Sequence, residues 1–107
     1  MDLDFSIQPS PITKFNTLGA VTETISWTPA TGKRWVITDI VISSTSTTLV
    51  TIRDGSAGNI IMIARCTASY PFVISLKTPI QSIGPNRNLT VQSSVITAYV
   101  AVIGYEM

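Results

Sequence analysis

Histidine is absent from this chain of 107 residues, cysteine occurs once, and charged side chains make up only 12%. Without histidine there is no imidazole to serve as a general base near neutral pH, and the common zinc ligand sets are missing. A single cysteine, Cys66, excludes an internal disulfide and a thiolate metal cluster. Its place in the greasy run IIMIARC reads as a small buried hydrophobe. The charge share is about half that of ordinary soluble domains. With a formal net charge of +1 and one adjacent basic pair, Lys33-Arg34, nothing suggests a nucleic-acid-binding or disordered chain.

Long hydrophobic runs are missing too. The mean hydropathy is high, +0.38, yet no apolar run approaches the ~20 residues that a helix needs to span a bilayer. The longest, around residues 60–64, has the size of a strand. The start, MDLDFSIQPSP, places acids where a secretory signal has a basic region, and no apolar segment follows, so no signal peptide is expected. The acids are Asp2, Asp4, Glu23, Asp39, Asp54 and Glu106. No two of them form a recognisable pair for glycoside cleavage. Asp54, Ser56 and Asn59 in DGSAGN offer oxygens but lack the acid density of a calcium loop, and read as a hairpin connection. No enzymatic activity, metal or cofactor is expected.

What is present is threonine, serine, isoleucine and valine, residues suited to a pleated, half-buried surface. Strands are expected at about 20–27, 34–42, 49–53, 60–67, 72–76 (ending before Pro79), 89–92 and 97–105, separated by turn signals such as TPATG, Asp54-Gly55 and IGPNRN. That spacing predicts an all-β protein, an antiparallel sandwich or barrel of seven firm strands. One or two more come from the first eighteen residues. The chain is one domain in size: an arm or edge strand over 1–18, then a β-domain over 19–107.

Three strands carry too much grease for a sheet with one wet face. In WVITDIVISS, simple alternation places Trp35, Ile37 and Val41 with Asp39 on one face, and Val36, Ile40 and Ile42 with Thr38 on the other. Ile60, Met62, Ala64 and Cys66 alternate with Ile61, Ile63, Arg65 and Thr67. In the last strand, Tyr99, Ala101, Ile103 and Tyr105 alternate with Ala98, Val100, Val102 and Gly104. Strands apolar on both faces need a second cover. With no helix pattern and no membrane span, another copy of the chain is the economical cover. The expected subunit-interface residues are Trp35, Ile37, Val41, Ile61, Ile63, Tyr99, Ile103 and Tyr105. Asp39 is expected to bond a backbone group or an arginine, with Arg53 and Arg65 available.

The succession WVITDIVISS, TIRDG, FVISLKTPIQS, NLTVQSS and VAVIGYE, spread over residues 20–107, resembles small TNF-like jelly-roll structural domains of tailed bacteriophages. Those domains occur as capsid decoration (cement) proteins, head fibres and tail modules. The resemblance implies a jelly roll of about eight strands in two four-stranded sheets and assembly as a homotrimer about an axis lined by the inner sheets. It also implies a virion location on the capsid surface, with the major capsid protein or another virion component as partner. In the arm, Leu3, Phe5 and Ile7 alternate with Asp2, Asp4 and Ser6, a one-sided edge able to add a strand to a neighbour or capsid subunit. Equally, the arm can close its own sandwich. The alternative function is a glycan- or receptor-binding module of a fibre or tail, using loops 28–33, 54–59 and 84–88. Its signature is an exposed aromatic beside acids and amides. Trp27 and Trp35 are candidates for such stacking, or for anchoring a core.

Overall fold

The computed structural model describes residues 11–19, 23–55, 58–68, 70–94 and 97–107. Eight strands lie among them: β1 (Ile12–Leu18), β2 (Thr24–Trp27), β3 (Trp35–Ser44), β4 (Thr48–Asp54), β5 (Asn59–Cys66), β6 (Phe72–Gln81), β7 (Leu89–Ser93) and β8 (Ala98–Glu106). Sheet A has the order β1-β8-β3-β6 and sheet B the order β2-β7-β4-β5, with every pair antiparallel. The connectivity is that of a doubled-over ribbon. β1 pairs with β8, β2 with β7, β3 with β6 and β4 with β5. Wrapping that ribbon adds the β3–β8 and β4–β7 pairs and distributes the strands over two packed sheets. This is a jelly-roll sandwich.

Between the sheets lie Trp27, Trp35, Ile37, Ile40, Ile42, Val50, Ile52, Leu89, Val91, Val100 and Val102, together with Ala64 and Cys66. At ~25 cal/mol per Å² of apolar surface, side chains of this size each contribute on the order of 2 kcal/mol when fully buried.

Two β-bulges account for much of the apparent two-faced grease. In the β3–β8 ladder Ile37 opposes Gly104 and Asp39 opposes Ile103, so Thr38 is an extra residue. A bulge shifts the alternation by one. Trp35 and Ile37 point inward before it; Ile40, Ile42 and Ser44 point inward after it. All four large apolar residues therefore enter the same core. In the β4–β5 ladder Ile52 opposes Met62 and Arg53 opposes Ile60, leaving Ile61 extra. Ile61, Met62, Ala64 and Cys66 all pack inward as a result. Beside the first bulge, Gly104 faces the Val36 carbonyl so closely that a Cβ there would collide with it.

Two edges also differ from expectation. β6 runs through Pro79 rather than stopping before it. While β3 advances from Ile37 to Asp39, β6 passes from Ile80 to Ser75, so residues 76–79 bow away from the ladder. β6 is the edge of sheet A, and proline, which cannot donate to a ladder, is tolerated in such a stretch. Residues 12–18 of the arm form β1, registered with β8 from Ile12–Gly104 to Leu18–Ala98. This half of the arm closes its own sandwich. Leu3, Phe5 and Ile7 lie outside the described residues.

Candidate interaction face

Directly opposed residues of antiparallel strands share a face. On the outer side of sheet A, Phe15 of β1 opposes Ala101 of β8, Ala101 opposes Val41 of β3, and Val41 opposes Val73 of β6. One apolar row thus crosses all four strands. Its ends are open, with Phe15 65% and Val73 64% exposed. Along central strand β8, the outward positions Tyr99, Ile103 and Tyr105 extend the row in both directions, Tyr99 exposed and the other two half-buried. Sheet B presents a more broken exterior. Ile25, Leu49, Ile60 and Ile63 are exposed there, but Thr51, Arg53 and Gln92 lie among them. Arg53 Nε stands 3.8 Å from Glu23 Oε2.

Asp39 sits inside the outer face of sheet A, opposite Ile103 and Ser75. Ser75 Oγ donates to its Oδ1 at 2.6 Å, and Thr38 Oγ1 donates to its Oδ2 at 2.8 Å. These hydroxyls, Ser75 first, hold the carboxyl below the usual aspartate range. The expected arginine partner is not there. Arg53 is directed to Glu23, and Arg65 is on β5 in the other sheet. The bulge explains the substitute, because the extra residue Thr38 is free to offer its hydroxyl to its neighbour.

The expected interface residues divide accordingly. Val41, Tyr99, Ile103 and Tyr105 share the outer face of sheet A. Ile63 lies outside on sheet B, 54% exposed. Ile61 packs against the core. Trp35 and Ile37 are fully enclosed in the chain's own core, so the bulge removes them from any surface a second subunit could meet. Sequence reasoning missed Phe15 and Val73, because their importance depends on strand order, not on local pattern. Trp27 is likewise enclosed, which closes the sugar-stacking alternative for both tryptophans.

The described residues of the three loops singled out in the sequence do converge, at one end of the sandwich. Asp54, 2% exposed, accepts the Ile83 N–H at 2.9 Å and Arg87 Nε at 3.0 Å, while Arg87 Nη2 donates to the Asp54 carbonyl. Gly32 N–H donates to Asn86 Oδ1 at 2.6 Å, and the Asn86 N–H donates to the Lys33 carbonyl. Asn86 adopts a left-handed φ of 62°, which asparagine tolerates. Trp27 Nε1 and the Ala30 N–H donate to the two oxygens of Glu106, closing the same end. Among the described residues the most exposed aromatic, Tyr70 at 76%, belongs to the β5–β6 connection at the opposite end. The combination of aromatic, acid and amide required for glycan stacking is therefore not assembled among the described residues. No cluster of three potential metal ligands occurs among them either.

No protein-family model matches the chain, and no curated protein does. Among solved structures, the chain is similar to a protein of the extra small virus (XSV) VLP from the giant freshwater prawn Macrobrachium rosenbergii. The TM-score is 0.42 and the identity 8%, over 99% of this chain and 83% of that one. It is also similar to a protein of Bacillus endospore appendages, described as disulfide-linked pili, with TM-score 0.42 and 11% identity over 98% and 96% of the two chains.

Proposed function

We propose that this chain is a structural protein of a virion: a homotrimeric jelly roll that decorates a shell, docks on the major capsid protein or another virion component, and performs no catalysis. The observation that carries the associative part is the Phe15–Ala101–Val41–Val73 row crossing sheet A. A continuous apolar band across a sheet marks an interaction surface rather than scattered exposed hydrophobics. Four strands about 4.8 Å apart and seven residues of length give a face of roughly 19 by 23 Å. In plan that is roughly 440 Å², about half of the ~800 Å² that each partner contributes to a stable interface. The virion setting comes from the resemblance of the sequence pattern to phage jelly-roll domains. Decoration would act by mass action, because a protein that binds the assembled shell and not its separated subunits stabilises the shell.

Light scattering coupled to size exclusion tests the association. The expected species has three times the 11.5 kDa chain mass. A chain that remains monomeric at all concentrations overturns the associative reading. Addition of the purified chain to undecorated phage shells should raise their thermal disruption temperature, and no change would remove the cement role.

A further inference from the structure

We infer that Asp39 of one copy meets Lys77 of a second copy, and that this pair sets the register of association on the outer face of sheet A. The inference rests on the association proposed above and adds the contact that gives it specificity. Thr38 and Ser75 hold the Asp39 carboxylate in a fixed orientation on that face. The other described acids all have cations near them. Glu23 faces Arg53, Asp54 holds Arg87, and Lys14 and Lys33 act on Glu106. Asp39 has hydroxyls alone. Covering an apolar face that contains such a carboxylate is unfavourable unless the covering surface brings a counter-charge, because desolvating an unpaired charge costs more than the apolar burial returns.

One cation, Lys77, is exposed on the strands of sheet A. Arg53 and Arg87 are engaged, and Lys14 and Lys33 lie near Glu106. Arg65 projects from β5 in the opposite sheet. Arg34 precedes β3 at the loop end of the sandwich and is half-buried. Lys77 remains. It is exposed on β6, the edge of the same sheet, in the stretch that bows away from β3. An acid inside the face and a cation on its rim suit an arrangement in which the edge of one copy seats on the face of the next. Repetition of one such contact closes a ring. Charge pairs of this kind select partner and register more than they add affinity.

The test measures dissociation constants by concentration-dependent light scattering for the wild type, Val41→Glu, Asp39→Lys, Lys77→Glu and the double reversal Asp39→Lys/Lys77→Glu. Each single reversal is expected to weaken association about tenfold or more. The double reversal is expected to recover most of that loss. Lys77 is exposed on an edge, so Lys77→Glu stays folded and remains informative even if Asp39→Lys, having lost its hydroxyl partners, does not. A monomeric wild type overturns the association reading and this pair with it. A wild type that associates and is dispersed by Val41→Glu, while Lys77→Glu changes nothing or the double reversal restores nothing, overturns the pair alone.

Discussion

At the scale of single residues, the polar groups that matter are those whose partners come from distant parts of the chain. Glu106 accepts from the Trp27 indole at 2.8 Å and from the Ala30 N–H at 3.1 Å, joining the end of β8 to β2 and the turn after it. The indole hydrogen bond, ahead of the backbone bond and the charges of Lys14 and Lys33, places its carboxyl below the usual glutamate range despite the opposing effect of burial. A folded-state pKa below the unfolded one means that Glu106 stabilises the fold above the ordinary glutamate value. That contribution fades as the pH drops through the depressed one. Chemical denaturation between neutral pH and about pH 3 should therefore show wild type and Glu106→Gln converging in stability on acidification, with the wild type ahead at neutrality. Parallel curves at every pH would show that the carboxylate charge contributes nothing to the clamp.

At the scale of elements, the bulge in β3 decides what the strand does. Replacement of the Thr38 hydroxyl alone, in Thr38→Val, loses its hydrogen bonding to Asp39 and the Ile103 carbonyl and should cost about 1 kcal/mol. Deletion of Thr38 is a different event. It returns the strand to strict alternation, so that either Trp35 and Ile37 or Ile40 and Ile42 must leave the core. Burial of a tryptophan or isoleucine is typically worth about 2–5 kcal/mol against alanine, and loss of such a pair should leave no cooperative unfolding transition. A deletion variant that unfolds cooperatively near the wild-type midpoint would refute this account of the bulge.

The same element shows what could be read beforehand. Strands β4 and β7 were legible because Val50 and Ile52, or Leu89 and Val91, alternate without interruption. The turns were legible from glycine, proline and asparagine. A bulge carries no residue signature in WVITDIVISS, so period-two reasoning assigned Trp35 and Ile37 to a face they do not share with Val41. Nor does sequence announce that β1 lies beside β8, which is what brings Phe15 next to Ala101.

At the scale of the whole molecule, the outer face of sheet A can be altered without disturbing the core. Val41 is half-buried and points away from the sandwich. Val41→Glu should therefore leave the folded chain within roughly 1 kcal/mol of wild-type stability while shifting the solution mass to that of a monomer. A variant that unfolds, or one that associates unchanged, would contradict the assignment of that face. The sandwich also has direction. Ile12 pairs with Gly104, and Met107 exchanges backbone hydrogen bonds with Arg34, so residues 12 and 107 both lie at the end where Asp54, Asn86 and Glu106 tie the loops together. The Tyr70 end points the other way. A ring built with cyclic symmetry from such chains has two unlike sides, because no two-fold axis exchanges them. A label attached to residue 107 would stand at the same height in every copy of such a ring.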